Sequence, residues 1–144
     1  MSRRTVAIAA DHAGFELKTA LVDDLNDAGY SVLDLGTNST ESVDYPEFAD
    51  RLARALESGA APRGVLVCGS GIGISIAANR HLQIRAALCR DENDAEMSRR
   101  HNNANVIAFS GSKMSVDAAR TCLRVFMETE FEGGRHARRI AKMS

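Results

Sequence analysis

No stretch of the 144-residue sequence reaches the apolar length of a membrane span, and Met1-Ser2-Arg3-Arg4 leads into a short strand pattern instead of the apolar core of a secretory signal. A cytoplasmic protein is expected. Charge of one sign is missing too: 26% of the residues are charged but the net charge is −1, so no global field draws in nucleic acid or a membrane surface. The three cysteines, Cys68, Cys89 and Cys122, are an odd number, widely spaced and without a C-x-x-C pair. A disulfide framework and a zinc site are both disfavoured, and free thiols are expected. With no linker, repeat or low-complexity segment, residues 1–144 read as one domain long enough to bury its own core.

The stretch from Gly64 to Asn79, GVLVCGSGIGISIAAN, lacks the signatures of the common glycine loops. A dinucleotide fingerprint starting at Gly69 or Gly71 needs glycine where Ile74 or Ile76 stands. A P-loop needs Gly-Lys-Ser/Thr, and no lysine occurs between Lys18 and Lys113. A nucleophile elbow needs glycines two residues either side of its nucleophile, but Leu66 precedes Cys68 at that spacing, and Cys68 and Ile72 flank Ser70. Nucleotide binding and acyl transfer both lose ground.

What the stretch does hold is an apolar run from Val65 to Val67, glycines at alternate positions (Gly69, Gly71, Gly73), and then small and apolar residues at helical spacing. That pattern predicts a strand, a tight turn and a helix start. Alternating glycines let the backbone take positive φ and let several N–H groups converge on one anion at a helix N-terminus. Cys68 stands at the rim, where the thiolate is favoured. Two readings follow: a reactive thiol beside an oxyanion or phosphate cradle, or a small buried residue closing a core strand above a turn that needs glycine for steric reasons alone.

Strand and helix patterns alternate along the rest of the chain. Further strands are expected over 6–10, 30–35, 84–89 and 105–109. Helices are expected from about Phe15 to Ala28 with Gly29 past the end, from Pro46 to Gly59, from Asp91 to about Arg100, from Val116 to about Phe131, and in a basic tail after Gly133-Gly134. This alternation predicts an α/β domain whose parallel sheet is covered on both faces. Open sheets of that kind bind ligands beyond the carboxyl ends of their strands, which gathers Asp11-His12, Thr37-Asn38, Cys68-Gly69-Ser70 and Arg90-Asp91. Taken locally, Asp11 and His12 are an acid–base pair or a helix cap. His101 to Asn105 form a polar turn at the far end of the sheet. Arg135 and Arg139, at i and i+4, are a phosphate fork or a solvated basic terminus.

Together these pieces resemble ribose-5-phosphate isomerase type B. Asp11-His12-Ala13-Gly14-Phe15, Asp44-Tyr45-Pro46, the run from Cys68 to Asn79, Arg100-His101-Asn102 and Glu132-Gly133-Gly134-Arg135-His136 occur in that family's order and spacing, from Val6 to about Arg139. The resemblance implies a Rossmann-like, three-layer α/β domain with a five-stranded parallel sheet of order 2-1-3-4-5. It also implies a homodimer or homotetramer whose active site is shared between subunits, so that His101 serves the partner's glycine loop. The implied activity is interconversion of ribose 5-phosphate and ribulose 5-phosphate, in pentose phosphate metabolism, by proton transfer through an enediolate. In that chemistry Cys68 would be the base, the N–H groups of Gly69, Gly71, Ile72 and Gly73 with the Ser70 hydroxyl the oxyanion hole, and His101 the group that moves the ring-opening proton. Asp11, His12, Tyr45 and Asn102 would position the substrate, with Arg135 and Arg139 clamping its phosphate. No metal or organic cofactor is implied, because protons alone move, and no nucleic acid or membrane partner.

Two departures from the family pattern bear on the site. One branch carries a glutamate at the position of Ile74; the pairing of Cys68 with Ile74 puts this chain in the cysteine branch. Many members carry an arginine near Ser112 as a further phosphate ligand, whereas the run here is Ser110-Gly111-Ser112-Lys113. That contact falls to Lys113 or is missing. The scaffold also resembles the subunits of galactose-6-phosphate isomerase, and some type B members accept allose 6-phosphate. An isomerase of a 6-phosphohexose is therefore the alternative substrate reading, and a non-catalytic sugar-phosphate binding module the alternative of another class.

Overall fold

The computed structural model describes residues 4–143. Its elements run β1 (Thr5–Ala10), a 3-10 turn (His12–Gly14), α1 (Phe15–Asp27), β2 (Ser31–Asp34), α2 (Tyr45–Glu57), β3 (Arg63–Cys68), α3 (Ile72–Ala78), β4 (Ala86–Leu88), α4 (Glu92–Arg100), β5 (Val106–Ser110), α5 (Val116–Glu128) and α6 (Arg135–Ala141). The five strands form one parallel sheet. Neighbouring residues of a strand face opposite sides of the sheet, which explains why its central strands are apolar without alternation. Val6, Ile8, Val65, Val67, Ile107 and Phe109 pack under α1 and α5, and Ala7, Ala9, Leu66 and Ala108 pack under α2 and α3. The result is the expected Rossmann-like three-layer architecture.

The helix ends follow local chemistry. The side chains of Asp91 and Ser115 accept the N–H groups of Asp94 and Ala118 and open α4 and α5. Helix α5 stops at Glu128, short of the expected Phe131. There Thr129 turns extended, and its carbonyl is taken by the Arg99 guanidinium at 3.1 Å.

The strand order corrects the expectation: it is β2-β1-β3-β5-β4, not 2-1-3-4-5. Every residue of β5 is buried, so it takes the inner place between β3 and β4. β4 is three half-buried residues between Arg85 and Arg90, a short strand with charged ends suited to an edge. The loop after β5 therefore lies against the loop after β3. Arg90 and Asp91, expected beside the glycine loop, instead line a separate recess with Asp117 and Thr121. Among the described residues no helix is long and apolar enough to cross a membrane.

Candidate active site

Cys68 closes β3 opposite Ser110 of β5 and is 4% exposed. Its Sγ accepts the N–H of Gly71 at 3.2 Å. The turn that delivers this donor requires glycine: Gly71 has φ +79°, and a Cβ there would lie 2.6 Å from Leu88 Cδ1 and 2.9 Å from the Phe109 carbonyl carbon. Ser70 Oγ accepts the Ile72 N–H at 3.1 Å as α3 begins. No hydrogen bond among the described residues takes up the N–H groups of Gly69, Ser70 or Gly73. The loop thus uses two of its donors on its own thiol and hydroxyl and leaves three uncommitted. At the two remaining thiols, burial pushes Cys89 up to about 12 and Cys122 up to about 11. They are core residues without a cradle.

Of three more expected residues, Asp11 borders the end of β3, Tyr45 lies on the start of α3, and His12 follows Asp11 in the 3-10 turn. The Asp11 N–H donates to the Val67 carbonyl at 3.2 Å, and its carboxylate accepts the Gly14 N–H at 3.1 Å, so Asp11 caps the 3-10 turn beside β3. His12 Nδ1 accepts the Val43 N–H at 3.1 Å. A neutral imidazole that accepts at Nδ1 carries its proton on Nε2, which makes His12 a donor at that atom. The Tyr45 ring lies on the backbone of α3, where a Cβ at Gly73 would be 2.7 Å from its Cζ. Not foreseen was buried Lys18, which binds Asp34 at 2.7 and 2.8 Å while Asp34 accepts the Gly36 N–H, fixing the end of β2.

His101, Asn102, Arg135 and Arg139 form a second group elsewhere. His101 ends α4, and its ring stacks on His136 of α6 at 4.2 Å between centroids and 14° between planes. His136 is buried, with Nε2 3.5 Å from Glu132 Oε1, and Glu132 Oε2 takes Arg100 Nη2 at 2.9 Å and Nε at 3.2 Å. Burial, then His101 and Arg135, lower the His136 imidazole below its ordinary value. Arg99, buried beneath the turn, donates to Asn103 Oδ1 and to the carbonyls of Ala104 and Thr129; burial and Arg63 lower it to about 10. Asn102 faces a cleft of about 370 Å³ shared with Arg85 and Ile140. Arg135 and Arg139 are exposed, one turn apart, and neither has a carboxylate partner among the described residues. His101, Glu132 and His136 offer ligand atoms within 4.8 Å of one another. Stacked rings, however, keep their in-plane lone pairs in separate planes, and Arg100 already holds the carboxylate. The set does not converge on a metal ion.

The two groups stand at opposite ends of the sheet. Cys68 pairs with Ser110, while the turn after α4 enters β5 at Val106, which pairs with Gly64. Four residue steps of parallel strand, about 13 Å, separate them. Sequence reasoning missed Arg99, Arg100, Glu132 and His136 as the supports of His101, although the i,i+4 spacing of Glu132 and His136 was a usable signal.

Comparison with known proteins reaches the same place. Residues 6–143 match the Ribose/Galactose Isomerase family. Ribose-5-phosphate isomerase B of Escherichia coli (strain K12) is 40% identical over 137 residues, 95% of this chain and 92% of that protein. D-erythrulose-4-phosphate isomerase of Pectobacterium atrosepticum is 39% identical over 140 residues, 96% of this chain and 92% of that protein. Among solved structures, ribose-5-phosphate isomerase B of Clostridium thermocellum has a TM-score of 0.96 at 45% identity, covering 96% of this chain and 94% of that one. With the match running from β1 through α6, across both clusters of candidate residues, the chain belongs to the Ribose/Galactose Isomerase family.

Proposed function

We propose that this chain is a ribose-5-phosphate isomerase of type B, a cytoplasmic enzyme with one isomerase domain per chain that works as a homodimer or a dimer of dimers. The observation that carries this is the Cys68 thiol, held by the Gly71 N–H beside the uncommitted donors of Gly69, Ser70 and Gly73. One loop supplies both a base and an anion cradle.

Cys68, as thiolate, takes the C2 proton of the open-chain aldose and returns it to C1, while the O2 hydroxyl proton passes to O1, so that the C1 carbonyl becomes a hydroxyl and the C2 hydroxyl a carbonyl. The charge that develops on O1 and O2 is held by the free N–H groups, donors already in place and needing no reorganisation at the moment of reaction. His12 Nε2–H, Asp11 and Tyr45 orient the sugar. His101 moves the ring-opening proton, its ring held by the stack on His136. Asn102 orients the substrate, and Arg135 and Arg139 hold its phosphate through charge-assisted bonds.

Because the second group stands at the far end of the same sheet, a complete site draws it from a second copy. An exposed apolar face favours such a copy: Ile72 and Ile76, one turn apart on α3, with Leu82 83% exposed just beyond. A two-fold axis through that face makes two equivalent composite sites.

Substrate length is the point on which a second reading has support, because relatives of nearly equal identity are named for a pentose and a tetrulose phosphate. The test is kcat/KM on ribose 5-phosphate, D-erythrulose 4-phosphate, allose 6-phosphate and galactose 6-phosphate. Ribose 5-phosphate is expected to lead. A higher value on any other would move the substrate assignment, and saturable binding of ribose 5-phosphate without ribulose 5-phosphate formation would make the chain a binding module.

A further inference from the structure

We infer that Ser110 and Ser112, in the loop after β5, are positioning residues that aim the Ser70 N–H at the enediolate by pinning the Gly69–Ser70 peptide from behind. This rests on the reading of the glycine loop as the enediolate cradle.

Because β5 lies next to β3, residues 110–112 run directly behind the glycine loop. Three donors meet on one carbonyl oxygen there. Ser110 Oγ and Ser112 Oγ each donate to the Gly69 carbonyl at 2.6 Å, and the Ser112 N–H adds a third bond at 3.1 Å. Ser110 is 2% exposed, and its oxygen accepts the Lys113 N–H at 3.1 Å, which leaves its proton directed at Gly69. One residue earlier, the Gly111 N–H holds the Cys68 carbonyl at 2.8 Å.

A trans peptide is planar, with its C=O and N–H pointing in opposite directions. Fixing the Gly69 oxygen toward β5 therefore fixes the Ser70 N–H toward the loop mouth, where no described residue accepts it. In the same way, the Gly111 bond aims the Gly69 N–H. Glycines on both sides of Ser70 make this segment easy to rotate. A flipped Gly69–Ser70 peptide would present a carbonyl oxygen, not a donor, to the developing negative charge. The two hydroxyls oppose that flip without touching substrate.

The experiment compares Ser110→Ala, Ser112→Ala, the double variant and Ser112→Thr with wild type. For each, kcat and KM are measured on ribose 5-phosphate, together with Kd for a phosphorylated hydroxamate that mimics the planar enediolate and Kd for the corresponding phosphorylated alditol. Removing an oxyanion-hole donor typically costs ~10²–10³ in kcat. Loosening one is expected to cost roughly fivefold in each alanine variant and roughly 30-fold or more in the double, with KM within about threefold. Hydroxamate affinity should fall in step with kcat while alditol affinity holds, and Ser112→Thr, which keeps the hydroxyl, should stay near wild type. If the double variant does not fold, the same pattern is read from the single ones. A folded variant set with kcat within about twofold of wild type, or with hydroxamate and alditol weakened equally, overturns the inference. Cys68→Ala serves as the control: its inactivity beside unimpaired serine variants overturns this inference alone, whereas its full activity overturns the reading of the loop and this inference together.

Discussion

At the carboxyl end of the sheet, Cys68 and its neighbours are gripped at their own backbone: a glycine N–H on the sulfur, strand-end carbonyls tied by N–H groups and two serine hydroxyls to the loop after β5, and a ring laid on Gly73. At the amino end, His101 and its neighbours are held by side chains: a stacked histidine, the Glu132–Arg100 pair and the buried Arg99 fork. The first group lies on elements with 0% exposed apolar cores, and the second lies on a helix C-terminus and the exposed face of α6. Charge that appears only in the transition state needs donors fixed to a fraction of an ångström, and the sheet supplies that. A phosphate carries its charge throughout the reaction, so long, mobile guanidiniums are enough to hold it.

The contrast is sharpest at Cys68. Cys68→Ala should leave a folded protein that still binds ribose 5-phosphate, with kcat down ~10²–10⁴-fold as for loss of a general base. Activity within about twofold of wild type would move the base to Asp11. At the other end, Arg135→Ala and Arg139→Ala should each lower kcat/KM by roughly 10- to 100-fold through KM, since a charge-assisted bond is worth about 1.5–3 kcal/mol. Unphosphorylated ribose should be insensitive to both. Equal losses on the two sugars would make α6 a structural element.

Stability effects should divide the same way. Gly71→Ala forces a side chain into left-handed backbone against Leu88 and Phe109, a change expected to cost about 2 kcal/mol or more in chemical denaturation. Alanine at exposed Arg139 should shift the midpoint by under about 0.5 kcal/mol. An effect confined to alkaline pH concerns the core thiols. Cys89 and Cys122 are raised from 9.0 to about 12 and about 11, so the folded chain keeps protons that the unfolded chain releases. Their contribution is complete below pH 9 and is lost as pH rises toward 12. Urea midpoints should fall above pH 9 more steeply in wild type than in Cys89→Ala; parallel slopes would place the alkaline sensitivity elsewhere.

The carboxyl end was readable in the sequence because its signals are local. A buried strand reads as Val65-Leu66-Val67, a turn as alternating glycines, and the chain leaves α1 and α2 through Gly29 and Gly59, both at positive φ. The family pattern added roles to these pieces. What stayed hidden was decided by pairing between distant segments. The apolar pattern of a parallel strand says that it is buried but not which strand lies beside it, so β4 and β5 were exchanged and Arg90-Asp91 was assigned to the wrong place. Phe131 extended the apparent periodicity of α5, while the bond that ends the helix comes from Arg99 on another element. His136 read as part of a basic tail because nothing near it in the chain announces the stack on His101.

The central claim is that a working site joins Cys68 of one chain to His101 of another, and complementation between inactive chains tests it most directly. Purified Cys68→Ala and His101→Ala proteins are mixed in equal amounts under conditions where subunits exchange, and exchange is verified with tagged chains. Half of the dimers are then hybrids, each with one intact site of two, so about a quarter of wild-type activity should appear by the symmetry of an isologous pair. Activity that stays at the level of the separate variants, with exchange demonstrated, would contradict a shared site and return His101 to its own chain or to a structural turn.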